Sequence, residues 1–320
     1  MKKSIFFSLL LTSALISLSW GFYGHQKINR TAVFTLPAQM IRFYKHNIGF
    51  IEEHAVDADK RRYSDTAEAA KHFIDADRYG KNPFDSIPET WKDAEAKFSN
   101  KVLQENGIVP WQIERTYYSL VAAFKQRDSV RILRLSADIG HYISDAHVPL
   151  HTTENYNGQL SGQTGIHGFW ESRLPELFST EYDYLTGRAP YIEAPLKTAW
   201  QIVRAAHAQV DSVLKIESRL NKTMPSDQKF SFSERNGVVI RQYSEEYSHA
   251  YHRALKGMVE KQMRSSIRMT GSFWYSAWVD AGQPVLKNFE AKIADQSEIS
   301  EQEKITESFK KGKILGRSEN

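Results

Sequence analysis

Apolar residues recur at three- and four-residue steps along most of the chain, the pattern of helices that each bury one face. Between Arg115 and Ile143 the positions Tyr118, Leu120, Val121, Ala123, Phe124, Val130, Ile132, Leu133, Leu135, Ile139 and Ile143 follow that period, with a polar break near Arg127-Asp128. The spacing predicts two helices separated there. A second helical tract is predicted from about Lys197 to Leu220. A third runs from near Gly237 to about Ala281, with Tyr243, Tyr247, Ala250, Tyr251, Leu255, Met258, Met263, Ile267, Met269, Phe273 and Trp274 as core candidates. Strand-like alternation is scarce. The expected fold is all-α, a single multi-helix domain of roughly eight to ten helices.

Turn signals separate these tracts at Tyr79-Gly80-Lys81-Asn82-Pro83, at Ile87-Pro88 and in the Gly- and Asn-rich stretch from Asn155 to Gly165. After Pro284 the chain becomes polar, and residues 287–320 read as a solvated helix followed by a frayed tail. At the other end, Lys2-Lys3, an apolar run from Ile5 to Ile16 and the small-x-small step Ser17-Leu18-Ser19 have the order of a secretory signal peptide. The expected organisation is a signal peptide over 1–19, a helical domain over 20–286 and a polar C-terminal tail over 287–320. Cleavage after Ser19 would leave Trp20 as the first mature residue of a secreted or periplasmic protein.

Composition narrows the chemistry. With 320 residues, 41% of them hydrophobic and 12% aromatic, the chain can bury a sizeable core, which excludes disorder throughout. The formal charge of +4 falls to +2 once Lys2 and Lys3 are removed, too near neutral for binding duplex nucleic acid through bulk charge. There are no cysteines. Disulfides, thiolate nucleophiles and thiolate zinc sites are thereby excluded, and any metal must be held by His, Asp, Glu or backbone groups.

The segment from His141 to His151 concentrates such groups. His141 and Asp145 stand at i, i+4 near the end of a predicted helix and so share a face. Pro149 stops that helix, and the turned chain can bring His151 back to the same centre. His167 and Glu171 repeat the i, i+4 spacing after the Gly- and Asn-rich stretch. Two such pairs joined by a turn-rich loop suggest neighbouring cations that share ligands. Of the 11 histidines, His46, His54, His147, His207, His249 and His252 read as packed or surface residues, with His147 a possible hydrogen-bonding support for a ligand.

These motifs resemble the superfamily of zinc-dependent phospholipases C and single-strand-specific zinc nucleases, all-α enzymes with three zinc ions. In that family the amine and carbonyl oxygen of an N-terminal Trp ligate one zinc; Trp20 would take this part. A His shortly after it follows, here His25. A further zinc uses an Asp and, some fourteen or fifteen residues later, a His opening an aromatic/Asp motif, here His72-Phe-Ile-Asp75-Ala-Asp77. The Asp is Asp57 by its Ala-x-Asp context and separation, with Asp59 as the alternative.

The resemblance then implies Asp57, His72, His141 and Asp145 around the first zinc, and His151, His167 and Glu171 around the second. Trp20, His25 and Asp145 would hold the third, Asp145 bridging. It covers Trp20 to about Glu171.

The implied activity is hydrolysis of a phosphodiester by metal-activated water, with Asp57 and Asp145 as catalytic carboxylates. One of Lys60, Arg61 and Arg62 would steady transition-state charge, unless these three form a solvated surface run. The implied partner is a phospholipid head group or single-stranded nucleic acid, with transient contact to a membrane surface and no protein partner. Glu171, the His72 motif, the short loop between His151 and His167 and the missing cysteines lean towards the phospholipase C type; the short Trp20-to-His25 spacing is like the nucleases. A third reading is a non-catalytic zinc-binding protein on the same fold. Phe22, Tyr23, Tyr156, Phe169 and Trp170 either stack a substrate group or belong to the core.

Overall fold

A computed structural model of the chain describes residues 21–235, 238–286 and 296–317. Trp20 and the segment read as a signal peptide lie outside them, as do 287–295. The described residues are predominantly α-helical, with one small two-stranded sheet. No helix among them is long and apolar enough to cross a membrane.

The centre is a hairpin of α3 (Val109–Gln126) and α4 (Ser129–Ala146). The break falls where the sequence places it: Arg127 adopts a left-handed conformation (φ 56°), and the Asp128 carboxylate accepts the Arg131 N–H at 3.0 Å to cap α4. On this hairpin pack α1 (Gly21–Ala32), α5 (Pro195–His207) and α8 (Met258–Asp280). Trp111 of α3 and Trp200 of α5 meet edge to face at 5.1 Å, and both indoles donate to the Glu89 carbonyl. Trp274 of α8 donates to the Ser136 carbonyl of α4 at 2.9 Å and stacks on Tyr44. Large rings with a satisfied polar edge thus lock α3 to α5 and α8 to α4.

The approach of α1 to α4 depends on Gly140. A Cβ there would stand 2.0 Å from Asn29 Oδ1, while Asn29 Nδ2 donates to the Ala137 carbonyl at 3.0 Å. Only a residue without a side chain lets the two helices touch at this level.

Several expectations are corrected. Tyr118 is exposed, and its neighbour Tyr117 takes the core position. The second tract is two helices, α5 and α6 (Val210–Thr223), parted at Ala208-Gln209. The third begins as a strand: β1 (Phe230–Arg235) pairs antiparallel with β2 (Val238–Tyr243), and only then follow α7 (Glu245–Ala254) and α8. The Asn236-Gly237 dipeptide between two β-branched and aromatic runs is the hairpin signal in the sequence. The hairpin has a structural use, since Tyr243 of β2 stacks on Phe169 with ring centroids 3.8 Å apart.

The tail also departs from expectation. Within it α9 (Gln296–Lys310) is a helix packed on α2 (Asp57–Arg61), with Ile305 buried and Phe309 against Phe22 and Tyr63. Ile305 and Phe309 lie at i, i+4, a narrow apolar stripe easily lost among the surrounding charges.

Candidate metal centre

His25 projects from the first turns of α1, and His141 and Asp145 from the last turns of α4, where Gly140 has brought the helices together. The rings of His25 and His141 stack at 3.9 Å. His25 Nε2 lies 3.4 Å from Asp145 Oδ1, and His141 Nε2 lies 3.2 Å from Asp145 Oδ2. These three buried residues form one possible cation site.

The second group shares His141. His72 ends the 3-10 turn Ala69–His72, and its Nδ1 stands 3.0 Å from His141 Nε2 and 2.9 Å from Asp145 Oδ2. The carboxylate that joins them is Asp59, with Oδ1 3.7 Å from His72 Nδ1 and 3.6 Å from His141 Nε2. Asp57, favoured by sequence context, is bound elsewhere. It accepts from His54 at 2.5 Å, Lys60 at 2.9 Å and Gln302 at 3.1 Å, and it lines a separate charged cleft with Arg61, Asp138 and Tyr142. Two residues apart on α2, the carboxylates leave the helix some 200° apart, so Asp59 turns towards His72 and His141 while Asp57 turns towards the cleft lined by Asp138 and Tyr142.

The third group is His151, His167 and Glu171. Pro149 opens the 3-10 turn that places His151. His167 stands in the short helix Ile166–Gly168, and Glu171 in the single π-helical turn Phe169–Arg173. That turn is seated from behind by Phe169 on Tyr243 and Tyr251. His151 Nε2 and His167 Nε2 are 2.9 Å apart, and Glu171 Oε2 lies 3.1 and 2.8 Å from them. The other Glu171 oxygen reaches to 3.5 Å from His25 Nε2. Asp145 and Glu171 therefore link all three groups into one chain of donors.

The ring orientations suit cation binding. His141 Nδ1 donates to the Ala55 carbonyl at 2.8 Å, and His151 Nδ1 donates to the His72 carbonyl at 2.7 Å. A ring held this way, once neutral as a metal ligand must be, carries its lone pair on Nε2, aimed into the cluster. Nitrogen lone pairs and carboxylates converging without sulfur make a donor set suited to zinc or another borderline divalent ion. Electrostatics agree. Burial opposes the charged forms, yet His141 and His151 hold the Asp145 carboxyl well below its usual range, and His151 and His167 do the same for Glu171. For His72 burial pulls the ring down, but Asp145 and Glu68 carry it up to about 9.

Sequence reasoning missed Glu68. It is buried one turn before His72, with Oε1 3.7 Å from His72 Nε2, and it accepts from Tyr142 at 2.5 Å and Lys71 at 2.6 Å. Its i, i+4 spacing to His72 is the signal that would have found it. The basic triplet is engaged throughout: Lys60 with Asp57, Arg61 with Asp138, Glu68 and Tyr142, and Arg62, buried, with the Arg317 carbonyl. It is not a solvated run. His207 supports the region by donating to the Thr152 carbonyl at 2.9 Å, and His147, next to the cluster, donates to the Ile143 carbonyl of its own helix. Phe169 and Trp170 are buried.

No protein-family model matches the sequence, and no curated protein matches it either.

Proposed function

We propose that this chain is a secreted zinc-dependent hydrolase of phosphodiesters, with a phospholipid of the phospholipase C type as its substrate. One observation carries the reading: three donor groups share His141, Asp145 and Glu171 and so suit cations held side by side. A single structural ion would need only one such group. Zinc, when bound there, supplies Lewis acidity, which makes a water nucleophilic near neutral pH and offsets charge on the phosphodiester oxygens.

The protein's own part is to hold the donors rigid and dry. The Ala55 and His72 carbonyls keep His141 and His151 in the tautomer that presents Nε2. Asp145 and Glu171 stay ionised, so both carboxylates remain able to accept cations. Asp59 has the exposure to meet water and lies beside His72 and His141; it takes the part first read for Asp57, accepting the proton of the attacking water. Trp20 would add its terminal amine and carbonyl oxygen to the His25 group, as the resemblance implies. The short Trp20-to-His25 spacing favours a second reading in which the substrate is single-stranded nucleic acid.

The test is metal analysis of the purified mature protein with side-by-side assays on bis(p-nitrophenyl) phosphate, phosphatidylcholine and single-stranded DNA. About three zinc ions and turnover of the lipid are expected. Metal-replete protein without turnover of any of the three would overturn the enzyme reading, and turnover of DNA alone would favour the second.

A further inference from the structure

The end of the described chain reaches back to the candidate centre. Beyond α9, the Leu315 N–H donates to the Arg62 carbonyl at 2.8 Å, and the Arg62 guanidinium donates in return to the Arg317 carbonyl at 2.5 Å. Gly316, at φ 87°, lies so close that a Cβ on it would stand 2.8 Å from Ala69 Cβ. This strap is seated by backbone and side chain on the segment between α2 and His72.

Arg317 fills a slot at its end. Its guanidinium lies 3.5 Å from the centroid of the Tyr156 ring and 4.0 Å from that of Phe73. One nitrogen donates to Asp75 Oδ1 at 2.7 Å and another to the Thr153 carbonyl at 3.3 Å. Two aromatic faces, a carboxylate and a carbonyl make a complete set of partners for a flat cation.

The walls of the slot belong to the segments that carry the metal-site donors. Phe73 directly follows His72, and Thr153 comes shortly after His151. The two segments join where the Ile74 N–H donates to the His151 carbonyl at 2.9 Å. The Tyr156 ring lies 6.2 Å from that of His167. A substrate seated on the donor cluster would meet Arg317 wherever it extended towards Phe73 and Tyr156.

We propose that the C-terminal strap is autoinhibitory: Arg317 occupies the substrate cleft beside the donor cluster, and productive binding requires its withdrawal. This inference rests on the reading of the cluster as a phosphodiester site. The strap is suited to reversible release, because polar contacts and one stacked guanidinium hold it at this end and no apolar side chain of residues 312–317 is fully buried. If it is closed nine-tenths of the time, the apparent KM rises about tenfold.

The test compares the full mature chain with Arg317→Ala, and with Phe309→Ser, which loosens the strap from a point outside the slot. Expected are a KM for phosphatidylcholine or single-stranded DNA lowered about 3- to 10-fold in both variants, with kcat and zinc content unchanged. Hydrogen exchange of the Leu315 amide should accelerate in both. Calorimetry with phosphocholine and thymidine 5′-monophosphate should give a Kd for at least one of them tightened by the same factor. Faster Leu315 exchange with unchanged KM and Kd would make the strap merely structural and overturn the proposal, as would unaltered exchange. Failure of every variant to turn over any substrate, with Kd still tightened by Arg317→Ala, would overturn the hydrolase reading and leave the strap standing.

Discussion

His151 and His167 face each other through their Nε2 atoms at 2.9 Å, while the other nitrogen of His151 is committed to the His72 carbonyl. Two ring nitrogens at that separation need a proton or a cation between them, and Glu171 stands where it can serve either. His167→Asn removes one of these three donors. It should cost one metal equivalent and lower phosphodiester turnover at least ~100-fold, beyond the usual effect of losing an outer support, with the helical circular dichroism unchanged. Metal analysis after gel filtration checks it, and an unchanged stoichiometry would contradict the site.

Asp57 and Asp59 separate cleanly by substitution. Asp59→Asn should lower zinc content and turnover. Asp57→Asn should leave the metal content intact and act only on the His54–Lys60–Gln302 contacts. Equal metal loss in both variants would show that the α2 carboxylates had been assigned to the wrong faces.

Gly140→Ala should force Asn29 and α1 away from α4. Overpacking of this kind destabilises by about 1–3 kcal/mol, read as a shift in the urea midpoint. It should also loosen the His25 group more than the His151 group, because only His25 rides on α1. A variant with wild-type stability and metal content would remove Gly140 from the account.

Metal uptake should release protons. Without a cation His72 keeps its proton up to about pH 9, since Asp145 and Glu68 outweigh the effect of burial. A ligated ring must lose it, so apparent zinc affinity rises with pH below that value and falls as the medium is acidified. Titrating zinc into EDTA-stripped protein at pH 7.5, in two buffers of different ionisation heat, should give different observed enthalpies. Identical enthalpies would mean that no proton leaves.

Periodicity carries the long helices and stops at short or mixed segments. The α3–α4 break is legible because long amphipathic helices repeat their pattern and a polar pair interrupts it. His141 with Asp145 and His167 with Glu171 are legible because i, i+4 spacing places side chains together whatever the tertiary structure. The choice between Asp57 and Asp59 is not, because a five-residue helix has too few apolar positions to show which face turns inward. Strand β2 was hidden in a tract whose later part is helical, and Tyr117 and Tyr118 differ by the one residue that periodicity resolves least. The slot around Arg317 depends on segments far apart in sequence and leaves no local mark.

The carbonyls of Ala55 and His72 that orient His141 and His151 belong to the main chain. Every amino acid supplies the same oxygen, so no side-chain replacement at position 55 deletes the acceptor for His141. The positioning of these two ring ligands is therefore buffered against point mutation. It is exposed instead to insertions, deletions and prolines that shift the backbone between Ala55 and His72, and it is there that sequence drift would first misalign the centre.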